Sequence, residues 1–180
     1  EALLKKQKRV YEYGCVMVGL NTSTEQWNEI QNMIDEDDIY FGNGEDGGYG
    51  RELDPHVTVL FGCEPTLKDS EVEEVIDKFT KPEIVIKTVS TFENEKFDVL
   101  KFDVESEDLH SMNKLMKSLP HTSDFPNYHP HITLAYMKKG TAKKYVNNIN
   151  KYLEKVDLNI TPNKVLYSKV DGTKKEYNFK

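Results

Sequence analysis

Features that usually announce a chemistry are scarce in this chain. Its 180 residues include only two cysteines and one tryptophan. Cys15 and Cys63 both fall in apolar segments and read as buried free thiols, which argues against a disulfide scaffold. No Cys/His grouping has zinc spacing, and no carboxylate cluster makes a convincing magnesium site, so neither a metal nor a cofactor is expected. The acidic run Asp35 to Asp38 reads as a solvated helix end. Long hydrophobic runs are missing as well. The longest early one, Cys15 to Leu20, has the length of a strand and not of a membrane span or a signal peptide. A soluble, cytoplasmic protein without a membrane partner is the expectation. The chain opens on Glu1 without methionine and reads as trimmed there. Positive charge is also short, with a net charge of −7. Long nucleic acid is gripped by many cation–phosphate contacts, so this balance excludes it as a partner while leaving room for a small nucleotide in a local pocket. Lys5 to Arg9 reads as the solvated face of an N-terminal helix, and Lys138-Lys139 as a loop.

What the chain does hold is one pattern written twice. His56-Val57-Thr58-Val59 follows Asp54-Pro55, and His131-Ile132-Thr133-Leu134 follows His129-Pro130. Successive side chains of a strand point to opposite faces, so each histidine shares a face with its threonine. Val57, Val59 and Phe61, like Ile132, Leu134 and Tyr136, then point the other way and can anchor each strand in a core. A single His-x-Thr in a strand is a common accident. Two, each behind a proline and each running into an apolar stretch and a helix, are a functional signal. Two such strands meeting across a cleft present two imidazoles and two hydroxyls to one ligand, which is equipment for metal-free acid–base chemistry on a phosphodiester.

Periodicity supplies the frame. Residues 13–20 read as a strand, followed by a helix capped by Ser23 and Gln26 and carrying Trp27, Ile30, Met33 and Ile34. Residues 41–50 hold half of the ten glycines and cannot form a regular element. Ser70 with Glu73 reads as the cap of a second helix bearing Val72, Val75, Ile76 and Phe79. Strands near 83–91 and 96–104 turn at Asn94, and a third helix spans about 107–119. A fourth helix starts at Thr141, and the end is strand-like with an Asp171-Gly172 hairpin turn. Each half thus offers a helix, a motif strand, a second helix and strands. The expected class is α+β with antiparallel sheets. It spans one domain, 1–180, of two intimately packed lobes about a pseudo-two-fold axis, and a monomer is expected.

The paired motifs, their order and the helices between them resemble the 2H phosphoesterase superfamily across nearly the whole chain, from Tyr13 to Phe179. That resemblance implies a bilobal, LigT-like fold with antiparallel sheets flanking a central cleft. It makes His56 and His131 the catalytic histidines and Thr58 and Thr133 their phosphate-binding partners. Within the superfamily the chain is most similar to phage anti-CBASS phosphodiesterases, through its small acidic character, its lysine and asparagine content and the opening Tyr-x-Tyr-Gly-Cys-Val-Met-Val. The resemblance implies hydrolysis of cyclic di- or trinucleotide messengers such as 3′,3′-cyclic GMP–AMP. Alternatives within the same chemistry are 2′,5′-oligoadenylate and RNA 2′,3′-cyclic ends, and a non-catalytic nucleotide sponge is the alternative outside it.

Base recognition calls for aromatic side chains, because stacking suits purines and needs no charge. Tyr13 and Tyr167 are the candidates, with a place in the core as their alternative. Tyr49 and Arg51, beside the glycine-rich segment, are placed to touch a nucleotide if that segment closes over it. His129 shares the parity of His131 and is a further binding candidate, or else a turn residue before Pro130. His110 and His121 read as bland.

Overall fold

Val57, Val59, Ile132 and Leu134 are fully buried, whereas His56, Thr58, His131 and Thr133 are half-exposed. This alternation orients the whole sheet: one face carries the core and the other carries the motifs. The computed structural model of the chain describes residues 11–42, 48–122 and 126–180. The basic N-terminal helix expected around Lys5 to Arg9, and residues 43–47 of the glycine-rich segment, lie outside the described residues.

Seven strands and four helices are present among the described residues. The strands are β1 (Gly14–Thr22), β2 (His56–Cys63), β3 (Val85–Glu93), β4 (Phe97–Glu105), β5 (His131–Lys138), β6 (Ile160–Ser168) and β7 (Lys174–Tyr177). The helices are α1 (Thr24–Asn32), α2 (Asp69–Ile76), α3 (Glu107–Met116) and α4 (Lys143–Lys155). Every strand pairing is antiparallel, in the order β3-β4-β5-β2-β1-β6-β7. The two expected sheets are therefore joined into one, and the joint is narrow: β2 and β5 pair at Val57 and Ile132 alone.

Beyond that joint the two motif strands diverge, and each finds other partners. Past the joint, the edge of β5 away from β4 is taken by Ile39, Tyr40, Gly50, Arg51 and Glu52, and the edge of β2 away from β1 by His121 and Thr122. Gly62 permits the second contact. Its φ is +90°, and a Cβ there would lie 1.7 Å from the Thr122 carbonyl oxygen.

Local chemistry accounts for the helix starts. Ser23 Oγ accepts from Gln26 N, as the sequence suggested, but the Gln26 amide donates to Asp157 O and so does not return the bond. Helix α2 begins at Asp69, one residue before the expected Ser70 cap, because Lys68 N donates to Glu71 Oε2. Ser106 Oγ caps α3 by accepting from Leu109 N. The Asp35 to Asp38 run is a short 3-10 turn (Glu36–Asp38) rather than a solvated helix end: Asp38 pairs with Lys144 and with the Tyr145 hydroxyl. All four helices serve the core face. Trp27 of α1 meets Phe102, Asn113 of α3 meets β2, Glu73 of α2 meets Tyr177, and Asn150 of α4 fills the irregularity of β3 at Val89.

Candidate active site

The joint between β2 and β5 brings the two motifs together. Carried one residue either way, the Val57–Ile132 pairing sets His56 across from Thr133 and Thr58 across from His131. Residues opposite one another in an antiparallel pair share a face, and their diagonal neighbours lie about 7–8 Å apart. The two histidines occupy one diagonal and the two threonines the other. The space between such corners has an imidazole on either side.

Both histidines are held in the same way. His56 Nδ1 lies 2.9 Å from Asp54 O, and His131 Nδ1 lies 2.9 Å from His129 O. A carbonyl can only accept, so Nδ1 carries hydrogen in each ring and Nε2 is the atom left for chemistry. The proline between each histidine and its carbonyl is buried, and Pro55 O and Pro130 O accept from Leu20 N and Val104 N. Having no N–H of its own, proline leaves no orphan donor at this turn.

The carbonyl three residues past each histidine is also held in duplicate. Asn113 Nδ2 of α3 donates to Val59 O at 2.7 Å, and Gln31 Nε2 of α1 donates to Leu134 O at 2.8 Å. Both amides are buried, and each comes from the half opposite the strand it holds. Sequence periodicity missed both, since a polar residue inside an apolar stripe looks like noise until its carbonyl partner is known.

The electrostatics break the symmetry. His56 pairs in register with Gly19 and Thr58 with Met17, but His131 pairs with Asp103 and Thr133 with Lys101. Burial holds the His131 imidazole below its ordinary range, and the Lys101 ammonium and the His56 ring push the same way against the His129 carbonyl and Asp103. Burial pulls the Asp103 carboxyl upward. Bonds from Lys101, Ser90 and Thr88 more than offset this and hold it below the usual carboxylate range. On the other side, Glu52 Oε2 comes within 4.0 Å of His56 Nδ1.

The remaining sequence candidates scatter. Tyr13 sits at the mouth of β1 with its ring edge toward Phe61, 6.5 Å between centroids. Tyr49 packs against Tyr40, Phe97 and Tyr136. These two aromatic groups mirror each other, because Phe61 and Tyr136 each stand five residues past a motif histidine. Neither anchors the core as strand alternation suggested, since a register shift in each half buries Leu60 and Ala135 instead and leaves Phe61 exposed and Tyr136 half-buried. His129 borders a polar depression with Asp103, His110, Asn127 and Tyr128. Two expectations are corrected. Arg51 turns its guanidinium toward the fold and not toward the motif face: Nη1 donates to Gln31 O and Nη2 to Ile34 O, closing the C-terminal end of α1. Tyr167 is only 4% exposed and pairs with core-facing Val16, so strand parity sends its ring into the core. Among the described residues, no three His, Cys, Asp or Glu side chains are grouped to hold a metal ion, and no helix is long and apolar enough to cross a membrane. Cys15 and Cys63 are free, and burial pushes both thiols up, to about 12 and about 11.

A family model described as anti-CBASS protein Acb1 matches residues 50–163, a span that contains both motifs. The solved structure of Usb1 from Kluyveromyces marxianus is similar with a TM-score of 0.58 at 9% identity, over 94% of this chain and 99% of that one. Usb1 from the same yeast with uridine monophosphate gives 0.55 at 10% identity, over 93% and 99%. At such identity the likeness speaks for the fold alone, the α+β arrangement of a 2H phosphoesterase. No curated protein sequence matches the chain.

Proposed function

This chain belongs to the anti-CBASS protein Acb1 family, and from that premise we propose that it hydrolyses cyclic di- and trinucleotide messengers, 3′,3′-cyclic GMP–AMP among them, to evade CBASS immunity. It is a phosphodiesterase of the 2H phosphoesterase type. The observation that carries the proposal is the mirrored presentation of two Nε2 atoms across the Val57–Ile132 joint.

In this reading, one imidazole takes the proton of the ribose 2′-hydroxyl. The 2′-oxygen attacks phosphorus, the bond to the 5′-oxygen breaks, and the second imidazole protonates the departing oxygen. A 2′,3′-cyclic phosphate forms and water then opens it. Each positioned acid or base contributes roughly 10² to 10⁴ in rate. A ring kept neutral by burial and by Lys101 suits His131 to the accepting role. His56 then takes the complementary role and protonates the departing oxygen. The Thr58 and Thr133 hydroxyls would donate to the non-bridging oxygens, where charge builds. The aromatic groups around Tyr13 and Tyr49, together with His129, are the proposed base contacts.

The test is incubation with 3′,3′-cyclic GMP–AMP in excess EDTA, with products resolved by chromatography and mass. Linear product from the wild type, with turnover abolished but binding kept in His56→Ala and His131→Ala, is the expected result. Full turnover in both variants would sink the mechanism. An intact cyclic substrate, with 2′,5′-oligoadenylate or a terminal 2′,3′-cyclic phosphate consumed instead, would move the protein to linear substrates. Tight binding with no turnover of any of these would make it a sponge.

A further inference from the structure

The two halves repeat each other closely around the motifs and then differ at one pair of positions. Opposite Thr58 and His56 stand Met17 and Gly19, whereas opposite Thr133 and His131 stand Lys101 and Asp103. Cross-strand partners share a face, so Lys101 lies on the motif face beside Thr133. Among the residues paired in register with the four motif side chains, it is the one cation.

A lysine ordinarily carries its ammonium out to water along a flexible stem. Lys101 does not, and its side chain is only 16% exposed. Nζ donates to Ser90 Oγ on β3 at 2.8 Å and to Asp103 Oδ1 at 2.5 Å. Asp103 is itself steadied by Thr88. An ammonium has three hydrogens to donate. With one spent toward β3 and one along β4, the directions left are off the sheet and toward β5, where Thr133 and His131 stand. Among the described residues no acceptor takes that third hydrogen. Holding down a desolvated charge is costly even when it is paired, and here the outlay leaves one donor facing the place where a phosphate would lie. Lys101 is also near enough to His131 for its charge to add to burial in disfavouring the protonated imidazole.

We infer that Lys101, locked by Asp103 and Ser90, is a catalytic residue that donates to a non-bridging oxygen of the scissile phosphate alongside Thr133. This rests on the two-histidine reading above and deepens it. The substrate is anionic and the protein carries a net charge of −7, so a preorganised local cation stabilises the negative charge that grows on the non-bridging oxygens during attack. The half bearing Met17 and Gly19 has no counterpart, which makes the stabilisation one-sided. The two non-bridging oxygens are then chemically distinct to the enzyme.

The experiment compares the wild type with Lys101→Met, the residue of the matching position, on cyclic GMP–AMP and on its two phosphorothioate diastereomers at the scissile linkage. Losing one donor aimed at developing charge costs on the order of 10² to 10³ in rate, and a loss of that size is expected on the all-oxygen substrate. The wild type should discriminate between the diastereomers, and Lys101→Met should flatten that discrimination, which a purely structural lysine would not do. If Lys101→Met fails to fold because Asp103 is left unpaired, Lys101→Met with Asp103→Asn removes both charges and gives the same readout. An unchanged rate, or an unchanged diastereomer ratio beside inactive His56→Ala and His131→Ala, would overturn this inference alone. Full turnover in both histidine variants would overturn the two-histidine reading and this inference with it.

Discussion

At the scale of single residues, the site depends on which nitrogen of each imidazole faces the ligand. The Asp54 and His129 carbonyls settle that by taking Nδ1. The sign of the local charge matters next. His131 should titrate below the ordinary midpoint of about 6.5, because burial and the Lys101 ammonium both oppose its protonated form. NMR titration of the ring should show this, and Lys101→Met should move the midpoint up. A midpoint unmoved by Lys101→Met would remove the cation from the account of His131. Linkage gives a second sign. A histidine whose midpoint falls on folding binds fewer protons folded than unfolded, so its stabilising contribution is present above about 6.5 and is lost as pH drops through the lowered midpoint. The identity of the motif residues was readable in the sequence, but these signs were not, since Lys101 lies thirty positions from His131 and meets it only across the β4–β5 ladder.

At the scale of elements, the two buried amides make the sharpest prediction. Asn113→Leu strands Val59 O, whereas Gln31→Leu leaves Leu134 O its bond from Glu52 N, so the larger loss of stability falls on Asn113→Leu. An unsatisfied buried carbonyl costs about 1 to 3 kcal/mol, which urea unfolding would register. Because each amide fixes a motif strand from the opposite half, we expect kcat to fall more than KM rises in both variants. Equal stability to the wild type would show that water replaces the amide. Gly62→Ala should be worse tolerated than either: the new Cβ would meet the Thr122 carbonyl, and the φ of +90° disfavours any L side chain. A melting temperature equal to the wild type would mean that the 121–122 segment can move off β2. Most elements were visible in the sequence because their apolar spacing is local. The start of α2 was missed because the bond from Lys68 N to Glu71, which sets it, uses a residue with no cap preference.

At the scale of the molecule, the seven strands among the described residues form one sheet whose halves touch at a single bridge, and the proposed substrate site is where they touch. The net charge of −7 gives this scale its own expectation. Duplex DNA or long RNA in excess should not compete for the site, and turnover should fall only gently with salt, because few phosphates are engaged. Strong competition by long RNA would mean an extended cationic track that the charge balance does not suggest. Chelation should leave the rate unchanged, a result read directly from the EDTA arm of the turnover assay.

The sequence by itself determined the class of chemistry and the strand parity that puts each histidine with its own threonine. Both follow from residue identity and a two-residue period, which no packing can alter. Only the tertiary structure decided which histidine meets which threonine, because that depends on the register between two strands far apart in the chain. It also decided the fates of Arg51 and Tyr167. Arg51 was claimed by the open carbonyls of α1, and Tyr167 by its pairing in register with core-facing Val16. A charged or aromatic side chain can serve a ligand or the fold, and the choice rests on which unsatisfied groups the folded chain brings within its reach.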